Sequence, residues 1–177
     1  MGEIAGKPKT STDKKMTQVA LGRNKKPNRP QTLNSGFDCK KEFFKELLGP
    51  VEKVAKQYNF DPNYLLAISA LESGWLGAHA HELNNAFGLT KGGGNNLEFK
   101  NFSESVEFWG KTFGSKASGA VSIDDFISKL QTDLRKQGGN GKYNTVNPKW
   151  GTEIRNAYHS VLKRRGPLCE CNQPENK

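Results

Sequence analysis

Residues 61–77 read DPNYLLAISALESGWLG, and the fold hangs on them. Asp61 is a good N-cap and Pro62 suits the first turn, so a helix is predicted to start there. From Tyr64 to Leu71 every residue except Ser69 is apolar. A helix that is apolar all round belongs in the interior, so this one is predicted to be the buried central helix, ending at Gly74. Glu72 then places a carboxyl at the C-terminal end of that helix. Burial disfavours its charged form, the negative end of the helix dipole does the same, and Trp75 offers an apolar wall. All three push its pKa upward, as a general acid working near neutral pH requires. A helix-end Glu can also simply reach solvent or pair with a Lys, so the pattern makes Glu72 a candidate.

Working outward, helical periodicity dominates from Phe37 onward. Phe43, Phe44, Leu47, Leu48, Val51, Val54, Ala55 and Tyr58 recur at three- and four-residue spacing, with Gly49-Pro50 predicting a break or kink between two helices. Residues 84–101 hold Gly92-Gly93-Gly94-Asn95-Asn96 and little periodicity, which predicts a loop or short hairpin. Three amphipathic helices follow. Ser103 is expected to open the first, with Val106, Trp109 and Phe113 inward. Ser122 opens the second with Asp125 completing a capping box, and Ile123, Phe126, Ile127, Leu130 and Leu134 inward. The third turns Trp150, Ile154, Ala157, Tyr158 and Val161 inward. The reading is a mainly α domain over 37–166 with at most one small β element, and a C-terminal tail over 167–177.

Residues 1–36 contain no Phe, Tyr or Trp and carry eight Lys/Arg against two Asp/Glu. Two thirds of the chain's +9 excess therefore lies in a segment with too little apolar surface to build a core. It reads as a basic, flexible N-terminal segment able to attract a polyanion or simply to keep the chain in solution. It has no continuous apolar core of signal-peptide length, so no N-terminal signal peptide is expected, and no stretch predicts a membrane span. No nucleic-acid motif accompanies the charge, so a nucleic-acid partner is not expected. Cys39, Cys169 and Cys171 stand near the two ends of the folded part. Cys39 could bridge to either of the other two in an oxidising compartment, or all three could remain thiols. His79, His81 and Glu82 are a poor metal set, since alternate residues do not share a helix face, and no metal is expected.

The run Leu71-Glu72-Ser73-Gly74-Trp75-Leu76-Gly77, followed by Asn84-Asn85-Ala86-Phe87-Gly88-Leu89, resembles the signature of the flagellar-type and autolysin-type endo-β-N-acetylglucosaminidases (glycoside hydrolase family 73) of the lysozyme-like superfamily. Two later stretches agree. Phe99-Lys100-Asn101-Phe102-Ser103-Glu104-Ser105-Val106 is similar to the family's Phe-Arg-x-Tyr-x-Ser-x-x-Glu-Ser segment. Tyr143-Asn144-Thr145-Val146-Asn147-Pro148-Lys149-Trp150 resembles its late Tyr-x-Thr-Asp-Pro-x-Tyr element, whose first Tyr lines the active site.

The resemblance implies a lysozyme-like helical domain with a reduced β-lobe that cuts peptidoglycan glycan strands without a cofactor. It makes Glu72 the catalytic acid and carries over Trp75, Asn85, Phe87 and Tyr143 as substrate-binding residues of the cleft. Trp109 and Trp150, at helical spacing, read as core. The family's second carboxylate lies in a longer lobe than the one here. Between Thr90 and Glu98 the only acid is Glu98, which is therefore the candidate base or nucleophile; the alternatives are an exposed loop-end carboxylate and assistance from the substrate's acetamido group. The shortened lobe leaves open muramidase (lysozyme) or lytic transglycosylase chemistry, and a catalytically silent glycan-binding module. Without a signal peptide, the expectation is a monomer that reaches the periplasm or cell wall by another route or by lysis. A phage lysin or an antibacterial effector would fit, the latter with a cognate immunity (inhibitor) protein.

Deleting residues 1–36 should leave the melting temperature and the cleavage of soluble glycan fragments unchanged while weakening binding to whole walls in a salt-dependent way. A large fall in melting temperature would show that the segment belongs to the core.

Overall fold

The computed structural model describes residues 38–92, 94–135, 141–166 and 169. The N-terminal segment 1–36, Cys171 and nearly all of the C-terminal tail lie outside these. The helices are α1 (Lys41–Tyr58), α2 (Pro62–Glu72), α3 (Ala78–Leu83), α4 (Phe102–Trp109), a π-helical stretch over Gly110–Gly114 running on into α5 (Ser115–Ala117), α6 (Ile123–Gln131) and α7 (Trp150–Arg165). Among the described residues the β structure is a single antiparallel bridge between Thr90 and Asn96.

α2 is the axis of the domain. Asp61 caps it, accepting from the Asn63 N–H at 2.8 Å, and Tyr64 through Ala70 are all buried. It packs most extensively on α7 and also on α1, which in turn packs on α4. Each Leu, Ile or Phe taken fully out of water there contributes roughly 1.5–3 kcal/mol. Ser69, the one polar residue in the apolar run, donates its hydroxyl to the Ala86 carbonyl at 2.8 Å. It thereby ties the central helix to the Asn84–Leu89 turn.

The structure corrects two expectations and adds a helix. Residues 41–58 form one continuous helix with Pro50 inside it, rather than two helices meeting at Gly49-Pro50. Proline removes one helical N–H, but Leu47 and Val51 on either side are completely buried, and their packing carries the helix across the defect. α4 starts at Phe102, because Asn101 is its cap and accepts from the Glu104 N–H at 2.9 Å. α3 has no counterpart in the periodicity; its six residues are too few to show any. The Ser122 cap of α6 is as read, its side chain accepting from the Asp125 N–H, but the Asp125 carboxylate reaches one residue beyond a capping box, to the Val121 N–H at 3.1 Å.

The π stretch brings α4 close to α1. A Cβ at Gly110 would stand 3.0 Å from Val54 Cγ1, and one at Gly114 would run into the Tyr58 ring, so only glycine permits this approach.

Cys39 is bonded to Cys169, joining the start of α1 to the residues that follow α7 across 130 positions. Closing so long a loop restricts the unfolded chain strongly. Cys39→Ser should therefore lower the stability of the oxidised protein by about 2–5 kcal/mol, read from its melting or denaturant midpoint. The same midpoint in wild type and variant under non-reducing conditions would mean that the bridge is not formed.

Candidate active site

Glu72 is the last residue of α2, partly buried, with its carboxyl Oε1 accepting from the Trp150 Nε1–H at 2.8 Å. Burial pushes its pKa up to about 7; the Trp150 hydrogen bond pulls downward, and the charge of Glu153 on α7 adds to the upward push. A carboxyl poised there is half protonated near neutrality, as a general acid must be. Trp150, expected as core from its spacing, is indeed 1% exposed, but its one polar atom is spent on the acid. Its indole N–H gave no signal in the sequence because Glu72 lies 78 positions away.

The chain leaves α2 through a strained turn. Gly74, Trp75 and Leu76 have φ of 61°, 63° and 56°, all left-handed. For the two non-glycine residues this costs roughly 1–2 kcal/mol each, so the surroundings must impose it. They do so by several bonds. The Ser73 hydroxyl donates to the Ser69 carbonyl at 2.6 Å and accepts from the Leu76 N–H at 2.9 Å, while the Trp75 N–H reaches the Ala70 carbonyl at 3.1 Å. Leu76 is buried. The half-buried Trp75 ring meets Phe43 and Phe44 in T-shaped contacts at 4.9 and 6.4 Å, and the Arg164 guanidinium lies over it at 4.7 Å.

The reduced lobe is organised largely by the Asn85 amide, while the neighbouring Asn84 Nδ2 donates to the Phe99 carbonyl at 3.0 Å. Asn85 donates to the carbonyls of Leu89 and Leu97, both at 2.9 Å, and its oxygen accepts from the N–H groups of Phe87 at 3.3 Å and Leu89 at 3.0 Å. An Asn side chain offers two donors and two acceptor positions, and all four are used. Asn85 therefore clamps the lobe and has no polar capacity left for a sugar. Phe87 is fully buried against Trp109, with ring centroids 5.9 Å apart, so it presents no face for stacking.

Tyr143 is also interior, 3% exposed. Its ring lies 5.3 Å from Trp150, its hydroxyl accepts from the Trp109 Nε1–H at 3.1 Å, and its N–H donates to the Leu130 carbonyl at 2.9 Å. Burial, and after it the charge of Glu72, raises its pKa well above the usual phenol value. Glu72, Trp150, Tyr143 and Trp109 thus form one connected group behind the acid. Glu98, in contrast, is exposed, with the backbone pinned on both sides: the Leu97 N–H bonds the Leu89 carbonyl at 2.8 Å and the Phe99 N–H bonds the Leu83 carbonyl at 2.9 Å. The His79 ring joins Glu82 at 3.3 Å to Asn96 at 2.7 Å, linking α3 to the lobe. Among the described residues no three His, Cys, Asp or Glu side chains are grouped to hold a metal. No helix there is long and apolar enough to cross a membrane.

Comparison with known proteins agrees with this fold. Two solved structures share the lysozyme-like helical fold. One is a type VI secretion system effector–immunity complex from Pseudomonas protegens, with TM-score 0.52 and 19% identity over 71% of this chain and 93% of that one. The other is the catalytic domain of the autolysin Auto from Listeria monocytogenes, with TM-score 0.52 and 17% identity over 79% of this chain and 91% of that one. No curated protein sequence matches the chain. The family model described as glucosaminidase, mannosyl-glycoprotein endo-β-N-acetylglucosaminidase, matches residues 49–163, and the chain belongs to that family.

Proposed function

We propose that the chain hydrolyses peptidoglycan as an endo-β-N-acetylglucosaminidase, cutting β-1,4 bonds of the glycan strand with Glu72 as general acid. The observation that carries this reading is the Glu72 carboxyl, held at the end of an apolar helix with its pKa pushed up to about 7. The proton passes from Glu72 to the glycosidic oxygen as the bond to the anomeric carbon breaks, and the bonding pair stays on that oxygen. Water supplies the hydroxyl that completes the anomeric carbon, and its surplus proton goes to a second group. Glu98 is the proposed second group, exposed at the end of the lobe with its neighbours' amides fixed. Asn85, Phe87 and Tyr143 shape the cleft from behind, and Trp75 forms its edge. The chemistry calls for no cofactor.

Kinship in fold with an autolysin supports the cell wall as the place of action. Likeness in fold to a chain of a type VI secretion system effector–immunity complex supports an antibacterial effector that acts in the periplasm of a rival and is restrained by a cognate immunity protein.

Glu72→Gln should keep the fold and lower wall lysis by at least about 100-fold, because the amide has no proton to donate. Mass spectrometry of the digest should find reducing N-acetylglucosamine at the new ends. Reducing N-acetylmuramic acid or its anhydro form would assign muramidase or transglycosylase chemistry instead. Since the acid works protonated, cleavage of soluble fragments should fade as pH rises through about 7.

Glu98→Gln should cost about 100-fold or more in turnover with little change in affinity, and azide should rescue Glu98→Ala. More than about a tenth of wild-type activity in Glu98→Gln would make its role minor.

A further inference from the structure

α7 begins against the acid. Trp150 is its first residue, and the Nε1–H of that side chain donates to Glu72 Oε1 at 2.8 Å. Glu153 follows three residues later, so the two lie on one face of the helix. Glu153 is itself held in place, because Asn147 Nδ2 donates to its Oε2 at 2.8 Å. Asn147 also positions the helix start, its carbonyl accepting from the Trp150 N–H at 3.1 Å.

An indole nitrogen donates and cannot accept. A protonated carboxyl oxygen is a poorer acceptor than its carbonyl partner, so a donor fixed at Oε1 favours the proton on Oε2. Once Glu72 has given up that proton, the same N–H faces a carboxylate oxygen, and a hydrogen bond to a charged acceptor is the stronger kind. Glu153 acts in the other direction, since a nearby like charge disfavours ionisation.

We propose that the first turn of α7 positions the catalytic proton, with Trp150 placing it on Oε2 of Glu72 and Glu153 opposing its loss. The proposal rests on Glu72 being the acid of the reaction described above. In that step the Oε2 proton moves to the glycosidic oxygen, the bond to the anomeric carbon breaks with its electron pair left on that oxygen, and water adds to the anomeric carbon as its surplus proton passes to the proposed base Glu98. The negative charge left on Glu72 is shared with Oε1, where the indole N–H stabilises it. Trp150 and Glu153 are positioning residues, since both act through Glu72. The charged and titratable groups acting on Glu72 include Glu153 from α7 and the Tyr143 hydroxyl from the segment before it.

The opposite signs provide the test. The Glu72 carboxyl is titrated by carbon NMR in the full chain, in wild type, Trp150→Phe and Glu153→Gln. Trp150→Phe, which keeps an aromatic ring but lacks the N–H, should move the titration to higher pH. Glu153→Gln should move it to lower pH, each by roughly half a unit or more. The alkaline limb of kcat/KM on soluble fragments should follow in the same two directions, with kcat of Trp150→Phe falling about tenfold at nearly constant KM. Shifts of one sign, or none, overturn the proposal; a merely structural role would lower activity without moving either limb. Should Trp150→Phe not fold, the Trp150 indole N–H resonance of the wild type serves instead. It should titrate together with Glu72 and stop titrating in Glu72→Gln, and an indole resonance indifferent to pH overturns the proposal. A wild type that leaves peptidoglycan uncut while both carboxyl shifts are seen removes the proposed substrate and upholds the positioning of the proton.

Discussion

The hydrogen bond from Trp150 to Glu72 joins the last residue of the most buried helix to the first residue of the helix it packs against most extensively. An ionisable group at the end of an apolar helix is unfavourable to bury, and an indole N–H is a sparing way to satisfy it. The donor stabilises the anion enough to let it form, yet brings no positive charge that would hold the carboxyl permanently ionised. A Lys or Arg in the same place would pull the pKa well below neutrality and keep the carboxyl ionised. The arrangement also carries a thermodynamic sign. The folded state keeps the Glu72 proton up to about 7, whereas the ordinary value is 4.5, so the folded chain binds more protons than the unfolded one between those values. The contribution of Glu72 to stability therefore declines as pH rises through that window.

Around this contact the rest of the domain acts as a holder. Trp109 anchors the Tyr143 hydroxyl, and Lys116, buried beneath the surface, donates to the Gly141 carbonyl at 2.6 Å just before Tyr143. Ser69 secures the Asn84–Leu89 turn, and within it the Asn85 side chain takes the place of a sheet, bonding four backbone groups that longer strands would otherwise pair. A lobe with a single bridge among the described residues can be this small because the saturated Asn85 amide, with Asn84 bonding the Phe99 carbonyl at 3.0 Å, holds its backbone together.

Much of this was legible along the chain. The all-round apolar run forced a buried helix, Asp61 and Ser122 announced caps that the structure realises, and Glu72 declared itself by standing at the end of that run. Local rules failed where tertiary contacts decided. Pro50 reads as a breaker, but buried neighbours on both sides carry the helix through it. Phe87 and Tyr143 sit in motif positions that suggest a cleft lining, but ring contacts with Trp109 draw both inward. Trp150 reads as core and as the end of a motif, but nothing along the chain marks its indole N–H as the partner of Glu72, 78 positions earlier. The bond between Cys39 and Cys169 lay among the pairings the spacing allowed, and only the proximity of the two chain ends could select it.

That bond changes what damage means for this molecule. Residues 40–168 all lie inside the loop it closes. A protease that cuts the chain once anywhere in that interval produces two pieces that remain one covalent molecule, and their packed helices need never diffuse apart to meet again. The folded chain would thus tolerate a first nick that would scatter an unbridged one, and would be lost only to a second cut or to reduction.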